Sequence, residues 1–329
     1  MVEETALPFD RRRNGLILGM GAAAFVVERH SEAEQRGVQP IAEFLGSTTA
    51  NSAYHGTRLD VEHVGAVVNG FITDMEQRWG LNRHEMAPDT VFFSHETYTP
   101  ARGGSAQSEV KALRETFGES TNKLVIANTK GFTGHPMAVG IEDASMFYGL
   151  LTGRIPPIAN HKEKDPELGD LNLSTGGDYP SLKYGLRFAA GFGSQIALSL
   201  MKKWPVEGDR INGAKLLAWA RTLAGTDDVV MRILQNKLVA YVNGDDNLHG
   251  GVQGDAWAPT QPWEGQPSVV EQAPQPVDPP AQPAPTEAAP APPSAPTVEA
   301  SGETVSTVIE VVVHHTGSVS YTHLRAHET

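Results

Sequence analysis

The chain has 329 residues, 40% hydrophobic and 20% charged, with 26 Lys+Arg against 39 Asp+Glu and a formal net charge of −13. It contains no cysteine, which excludes disulfides, thiolate-bound metal centres and any thiol nucleophile within these residues. The acidic balance argues against a nucleic-acid binder, which needs a basic face to displace counterions, and no apolar run reaches the roughly 20 residues that span a bilayer.

Near the start, Arg11-Arg12-Arg13 followed by Gly15–Val27 (GLILGMGAAAFVV) has the outline of a signal peptide. Glu3, Glu4 and Asp10 upstream and Glu28-Arg29 directly after it speak against that. The run reads instead as a Gly/Ala-rich buried strand pair, with the cytoplasm as the default location. Val64, Val68, Phe71, Met75 and Trp79 then recur at helical spacing behind Asp60, a candidate cap. Val91–Phe93, Leu124–Asn128 and Gly193–Leu200 read as short buried strands, and Ser105–Phe117 and Pro136–Leu151 as helices. Strands separated by helices of this length predict an α/β layered domain with both sheet faces covered. Ile211–Ala224 and Asp227–Tyr241 read as two further amphipathic helices behind that core.

Composition shifts near residue 258. Between Ala258 and Pro296 lie 13 of the 23 prolines, a segment too poor in apolar surface to fold and biased towards extended polyproline II. At about 3.1 Å per residue it reaches on the order of 100 Å, the length of an interdomain tether. In Glu303–Gly317, Val305, Val308, Ile309 and Val312 share one helical face, as in the first helix of a second small domain. A β-branched strand is the alternative. Val319–Thr329 (VSYTHLRAHET) back-translates into a transposase-type sequencing-adapter sequence. An assembly artefact is therefore expected there, with the chain a fragment.

Two of the twelve histidines stand apart by context. His95 follows the apolar strand Val91–Ser94 and opens a polar, Gly-rich loop, while His135 lies between a strand and a helix start in NTKGFTGHP. Open α/β sheets place ligands in loops at the carboxyl ends of strands. Pro136 at a first helical position would set His135 at the positive end of a helix dipole, disfavouring imidazolium. A neutral imidazole can donate a hydrogen bond to a developing oxyanion. Two unrelated, hydrogen-bonded histidines remain the plainer reading. Gly191-Phe192-Gly193 leaves backbone N–H groups unobstructed for an oxyanion hole, or is simply a tight turn between core strands. There is no G-x-S-x-G elbow, H-E-x-x-H or P-loop.

The pieces join in one resemblance. Pro8–Gly15 (PFDRRRNG) followed by GMGAAAFVVE resembles the PFDxxRxGxxxGEGAAxxVLE stretch of β-ketoacyl synthases. Ser94–Thr99 is similar to their first histidine loop, THGTGT. Lys130 with Gly134-His135 matches K-x-x-x-G-H, Asn160–Ser174 (NHKEKDPELGDLNLS) matches N-x-x-x-x-D-P-x-L, and Gly191-Phe192-Gly193 the GFG loop. Five motifs stand in the family's order over roughly residues 8–203. Departures are Glu96 and Tyr98 in place of loop glycines, Met20 for the usual Glu, and Ser194-Gln195-Ile196 for G-T-N; these leave substrate length open.

The resemblance implies a thiolase-like α/β fold and decarboxylative Claisen condensation of an acyl thioester with a malonyl thioester. His95 and His135 would be the enolate-stabilising pair, and Lys130 would orient the second histidine and the carboxylate of Glu109, or a water, nearby. Phe192 would be the gatekeeper, its backbone N–H part of the oxyanion hole. It further implies an absent cysteine nucleophile upstream, no metal or redox cofactor, substrates carried on the phosphopantetheine of an acyl carrier domain, and a homodimer when complete. The expected division is 1–203 ketosynthase C-terminal part, 204–257 helical extension, 258–302 linker, 303–318 start of an acyl-carrier-like domain and 319–329 artefact. Such an order resembles multidomain fatty-acid or polyketide synthases of the polyunsaturated-fatty-acid type. A thiolase and a non-condensing chain-length-factor-like homologue are the alternatives. A thiolase would carry a second cysteine near GFGSQIA, and a chain-length factor normally loses a histidine.

Overall fold

The computed structural model describes residues 4–99, 104–137, 140–206, 210–234, 237–244 and 255–256. The expected linker (258–302), carrier-like helix (303–318) and adapter-derived tail (319–329) lie outside the described residues. In chain order the elements are α1 (His30–Gln35), β1 (Ala42–Asn51), α2 (Val61–Trp79), α3 (Arg83–Met86), β2 (Thr90–Phe93), α4 (Ser105–Phe117), β3 (Val125–Ala127), α5 (Lys130–Thr133) and α6 (Ile141–Thr152). There follow β4 (Arg154–Pro157), β5 (Thr175–Asp178), β6 (Tyr184–Gly191), β7 (Gln195–Lys203), α7 (Gly213–Ala224), β8 (Val229–Leu234) and β9 (Lys237–Val242).

A five-stranded mixed sheet of order β1-β7-β6-β2-β3 organises the molecule. β2 runs parallel to both β3 and β6, whereas β6–β7 and β7–β1 are antiparallel. Alternate side chains point to opposite faces of a strand, and β2 shows it directly. Phe92 joins the core under α2 and α4, with Val68, Ile72, Val110 and Leu113. Val91 and Phe93 join the core under α6, with Met146 and Leu150. Both faces are covered, as the helix–strand alternation predicts.

α2 illustrates how the sequence sets an element. Asp60 accepts from the N–H of His63, and the helix stops at Gly80, whose φ of +62° suits glycine. Val64, Val68, Phe71, Ile72 and Met75 are all buried, each worth roughly 1.5–3 kcal/mol relative to exposure. Trp79 ends the stripe half-exposed, its indole N–H donating to Leu45 O at 2.9 Å.

Three expectations need correction. Asp227–Tyr241 is not a helix but the β8–β9 hairpin, because Val229, Val230, Ile233, Val239 and Val242 are β-branched residues that fit a pleated surface better. Pro136–Leu151 is helical only from Ile141. Gly15–Val27 forms no buried strand pair: Leu18, Met20, Val26 and Val27 are exposed, and the segment is held by hydrogen bonds of Gly15 and Ile17 to Tyr98, an isolated bridge from Leu18 to His135 and a ring contact of Phe25 with Phe147. Nothing among the described residues covers that apolar ribbon. No helix there is long and apolar enough to cross a membrane.

Candidate active site

The sheet order decides which side chains meet. β2 and β3 are parallel neighbours with Phe93 paired to Ala127, and β6 is parallel to β2 with Arg187 paired to Phe93. Three chain segments therefore leave the sheet at one end. His95 lies two residues beyond β2, Lys130 opens α5 just beyond β3, and His135 follows the end of α5. Asn128 fastens the first two exits together. Its side-chain amide donates to Glu96 O at 2.9 Å, and its Oδ1 accepts from the N–H of Lys130 at 2.9 Å.

Lys130 is buried, and its Nζ donates to His95 O at 2.6 Å and lies 3.2 Å from His95 Nδ1. An ammonium can only donate, so His95 Nδ1 accepts and the ring proton sits on Nε2. The His95 and His135 rings stand edge to face, centroids 5.3 Å apart at 86°. His135 is pinned through its backbone: its N–H donates to Ile17 O at 2.7 Å, and its carbonyl accepts from Gly19 at 2.9 Å. A cavity of about 560 Å³ opens here, lined by His95, Lys130, His135, Glu142 and Arg187, with Gly191 at its rim.

Burial and cations set the charges. Burial holds His95 well below the usual imidazole range, and Lys130 and Arg187 push in the same direction. Burial also brings His135 to about 4, with Lys130 adding to it and Glu142 opposing. Burial lowers Lys130 as well, against the pull of Glu142. Glu109 is raised by burial, with the Ser94 hydroxyl opposing. Glu96 is raised by burial too, its bond from Ser105 opposing. At neutral pH the pocket thus presents two uncharged imidazoles beside a buried amine.

The expected residues come together only in part. His95, Lys130 and His135 converge. Lys130, however, orients the first histidine rather than the second, and the carboxylate nearest it is Glu142, at 3.6 Å, not Glu109. No helix begins at Pro136, so desolvation and neighbouring cations keep His135 neutral, not a helix terminus. Gly191-Phe192-Gly193 forms the turn between β6 and β7. There the Phe192 side chain is 58% exposed and does not line the cavity, and the Gly193 N–H donates to Gly56 O at 3.1 Å. Sequence reasoning missed Asn128, Glu142 and Arg187 as parts of the site. The available signals were an arginine inside the apolar run LRFAAG and an acidic pair opening an apolar helix.

The remaining motif residues brace this arrangement. Buried Asp10 accepts from Arg12 and from the N–H groups of Lys162 and Glu163, which hold its carboxyl far below the usual range despite its burial. Arg13 pairs with Asp165, and the Asn160 amide donates to Ala6 O at 2.8 Å. The PFD and N-x-x-x-x-D-P stretches are thereby sewn to each other beside α5.

No protein-family model matches the chain. Curated relatives do: it is 34% identical over 167 residues to 3-oxoacyl-[acyl-carrier-protein] synthase 2 of Coxiella burnetii, covering 50% of this chain and 38% of that protein. To the Staphylococcus aureus protein of the same name it is 28% identical over 208 residues, 62% of this chain and 48% of that one. Over this stretch the chain is similar to β-ketoacyl synthases. It spans half or less of the length of the curated relatives it matches. Solved ketosynthases share the fold. One is a type II polyketide-synthase ketosynthase in complex with its acyl-carrier protein and bound to a hexaketide (TM-score 0.54, 24% identity, 62% of this chain and 48% of that one). Another is a β-ketoacyl synthase from Burkholderia phymatum (TM-score 0.53, 22% identity, 61% and 47%). The mixed sheet between helical layers is the thiolase-like fold that the motifs predict.

Proposed function

We propose that this chain supplies the enolate-stabilising part of a β-ketoacyl synthase active site. The reaction is decarboxylative condensation of an acyl thioester with malonyl-acyl-carrier-protein in fatty-acid or polyketide synthesis. The observation that carries the reading is the pair of uncharged imidazoles, 5.3 Å apart, with Lys130 on Nδ1 of the first. Cleavage of the malonyl C–CO2 bond leaves its electron pair in an enolate with negative charge on the thioester oxygen. The Nε2–H of His95 and a ring N–H of His135 donate to that oxygen. The enolate carbon then attacks an acyl thioester on a cysteine, and the thiolate leaves. That cysteine, absent from these residues, belongs to a longer gene product in this proposal. The chain alone is inert in acyl transfer.

The substrates ride on the phosphopantetheine of an acyl carrier, supported by the carrier complex of the type II relative and by the tether-like composition after residue 258. The 1–203, 204–257, 258–302 and 303–318 division, a multidomain synthase of the polyunsaturated-fatty-acid type, a homodimer and a cytoplasmic location belong to the same proposal. The test is to express the complete open reading frame and measure malonyl-carrier decarboxylation. Removing one oxyanion donor costs about 100- to 1000-fold in rate, so His135→Ala is expected to abolish turnover within detection. Near-wild-type decarboxylation in that variant refutes the role.

A further inference from the structure

Arg187 has no place in the mechanism above, yet it is the second buried cation of the pocket. It sits in β6, between Gly185 and Ala189 on the face that packs against α6, and its side chain is 7% exposed. A buried guanidinium is costly unless its donors are met. Here Nη1 donates to the carbonyl of Phe93, at the end of β2, and to that of Phe188, within β6. Nη2 lies 3.4 Å from Glu142 Oε2, while Nε makes no hydrogen bond and lies 3.6 Å from Asp143 Oδ2. The other oxygen of Glu142, Oε1, lies 3.6 Å from Lys130 Nζ. One carboxylate is therefore shared, oxygen by oxygen, between the amine that grips His95 and the guanidinium that grips the β2 and β6 backbones.

We propose that Arg187 is a positioning residue that, anchored on the carbonyls of Phe93 and Phe188, holds Glu142 against Lys130 and stands as a second fixed cation behind the histidine pair. The inference rests on the reading of His95 and His135 as neutral donors, and it supplies a reason why they stay neutral. The charged groups around the two rings are Lys130 from α5, Glu142 and Asp143 from α6, Arg187 from β6, Glu96 from the β2 exit, Glu109 from α4, and Arg13 beyond Glu96. Glu96 and Glu109 are driven towards their uncharged forms by burial, which leaves Lys130 and Arg187 against Glu142 and Asp143. Arg187 opposes protonation of both imidazoles. Losing it removes one positive charge and releases Glu142, and both effects favour imidazolium.

The experiment is a histidine-specific NMR titration of the full chain, with the two resonances assigned through His95→Gln and His135→Gln. In the parent chain His135, held down by burial and by Lys130, is expected to titrate at about 4. Arg187→Met is expected to move both imidazoles upward, His135 by on the order of one unit. Arg187→Lys keeps the charge and is expected to leave them within a few tenths of the parent. Unshifted imidazoles in Arg187→Met, or an equal shift in Arg187→Lys, overturn the proposal. Should Arg187→Met not fold, Asp143→Asn on the partly exposed partner leaves the guanidinium less neutralised. It must then lower the His135 value, and an unchanged value overturns the proposal as well. No acyl substrate enters this titration, so its failure is distinct from a failure of the decarboxylation assay.

Discussion

His95 and His135 couple the stability of the fold to pH as well as serving the proposed chemistry. Both are depressed below the ordinary imidazole value of 6.5, so the unfolded chain binds their protons first. Their contribution is complete above pH 6.5 and drains away as pH falls towards the folded value, about 4 for His135. Allowing for solvent screening of the half-buried His135, the loss is about 1–2 kcal/mol. Glu96 and Glu109 act oppositely. Being raised, they favour the fold most below the ordinary carboxylate range and lose that contribution as pH climbs. Urea unfolding at pH 7.5 and pH 5 is therefore expected to show a steeper acid loss in the parent than in His95→Gln/His135→Gln, with both glutamates common to the pair. Equal slopes would show that neither imidazole is held neutral by the fold. His95 and His135 were legible because each sits beyond a strand among glycines, and Lys130 through its match to K-x-x-x-G-H. Glu142 and Arg187 were not, because only the register of β6 against β2, and the seating of α6 over that face, bring them into the cavity.

At the scale of elements, the segment Ile17–Gly19 fixes the second histidine through two backbone hydrogen bonds. That contact is possible only because two glycines meet back to back. A Cβ on Gly19 would lie 1.9 Å from Thr133 O, and one on Gly134, whose φ is +68°, would lie 2.9 Å from Gly19 N. Both obstacles are backbone, so no rotamer change relieves them. Gly19→Ala is expected to cost about 1–3 kcal/mol in urea unfolding and to broaden or shift the His135 resonance while leaving His95 nearly in place. An Ala variant as stable as the parent, with an unmoved His135 signal, would mean that the segment does not hold the histidine. The same scale shows where reading the sequence succeeds and stops. α2 announces itself by period and cap and α4 by its apolar pattern alone, and Ser105–Phe117 matches to the residue. β1 and β6 were missed, since AEFLGSTTAN alternates polar with apolar at a sheet edge and YGLRFAAG hides a strand behind glycine and arginine. The 227–241 run was misread because short apolar stretches satisfy helical and strand periods alike.

For the molecule as a whole, the outstanding feature is the ribbon from Leu16 to Val27. Its sequence reads as buried, yet Leu18 is 67% exposed and Met20 94%. The ends are tied, at Leu18 to the loop of His135 and at Phe25 through a ring contact with Phe147 at 5.3 Å. Between them the segment forms no regular element and has no ladder partner among the described residues. A contiguous exposed apolar surface on an otherwise acidic chain marks a surface meant to be covered. Under the proposal of a longer gene product its being bare has a reason, since the match spans only 38–48% of the curated relatives. The 329-residue chain in isolation is therefore expected to bind a hydrophobic dye and to self-associate at micromolar concentration. Met20→Glu/Val26→Glu should reduce both, with stability changed by no more than about 0.5 kcal/mol, because these side chains support nothing in the core. In the longer gene product proposed above, the same pair of substitutions is instead expected to be strongly destabilising, since there the charges would be buried unpaired. An equally tolerant complete protein would show that the ribbon faces solvent in both, and that the missing length of the relatives is not what covers it.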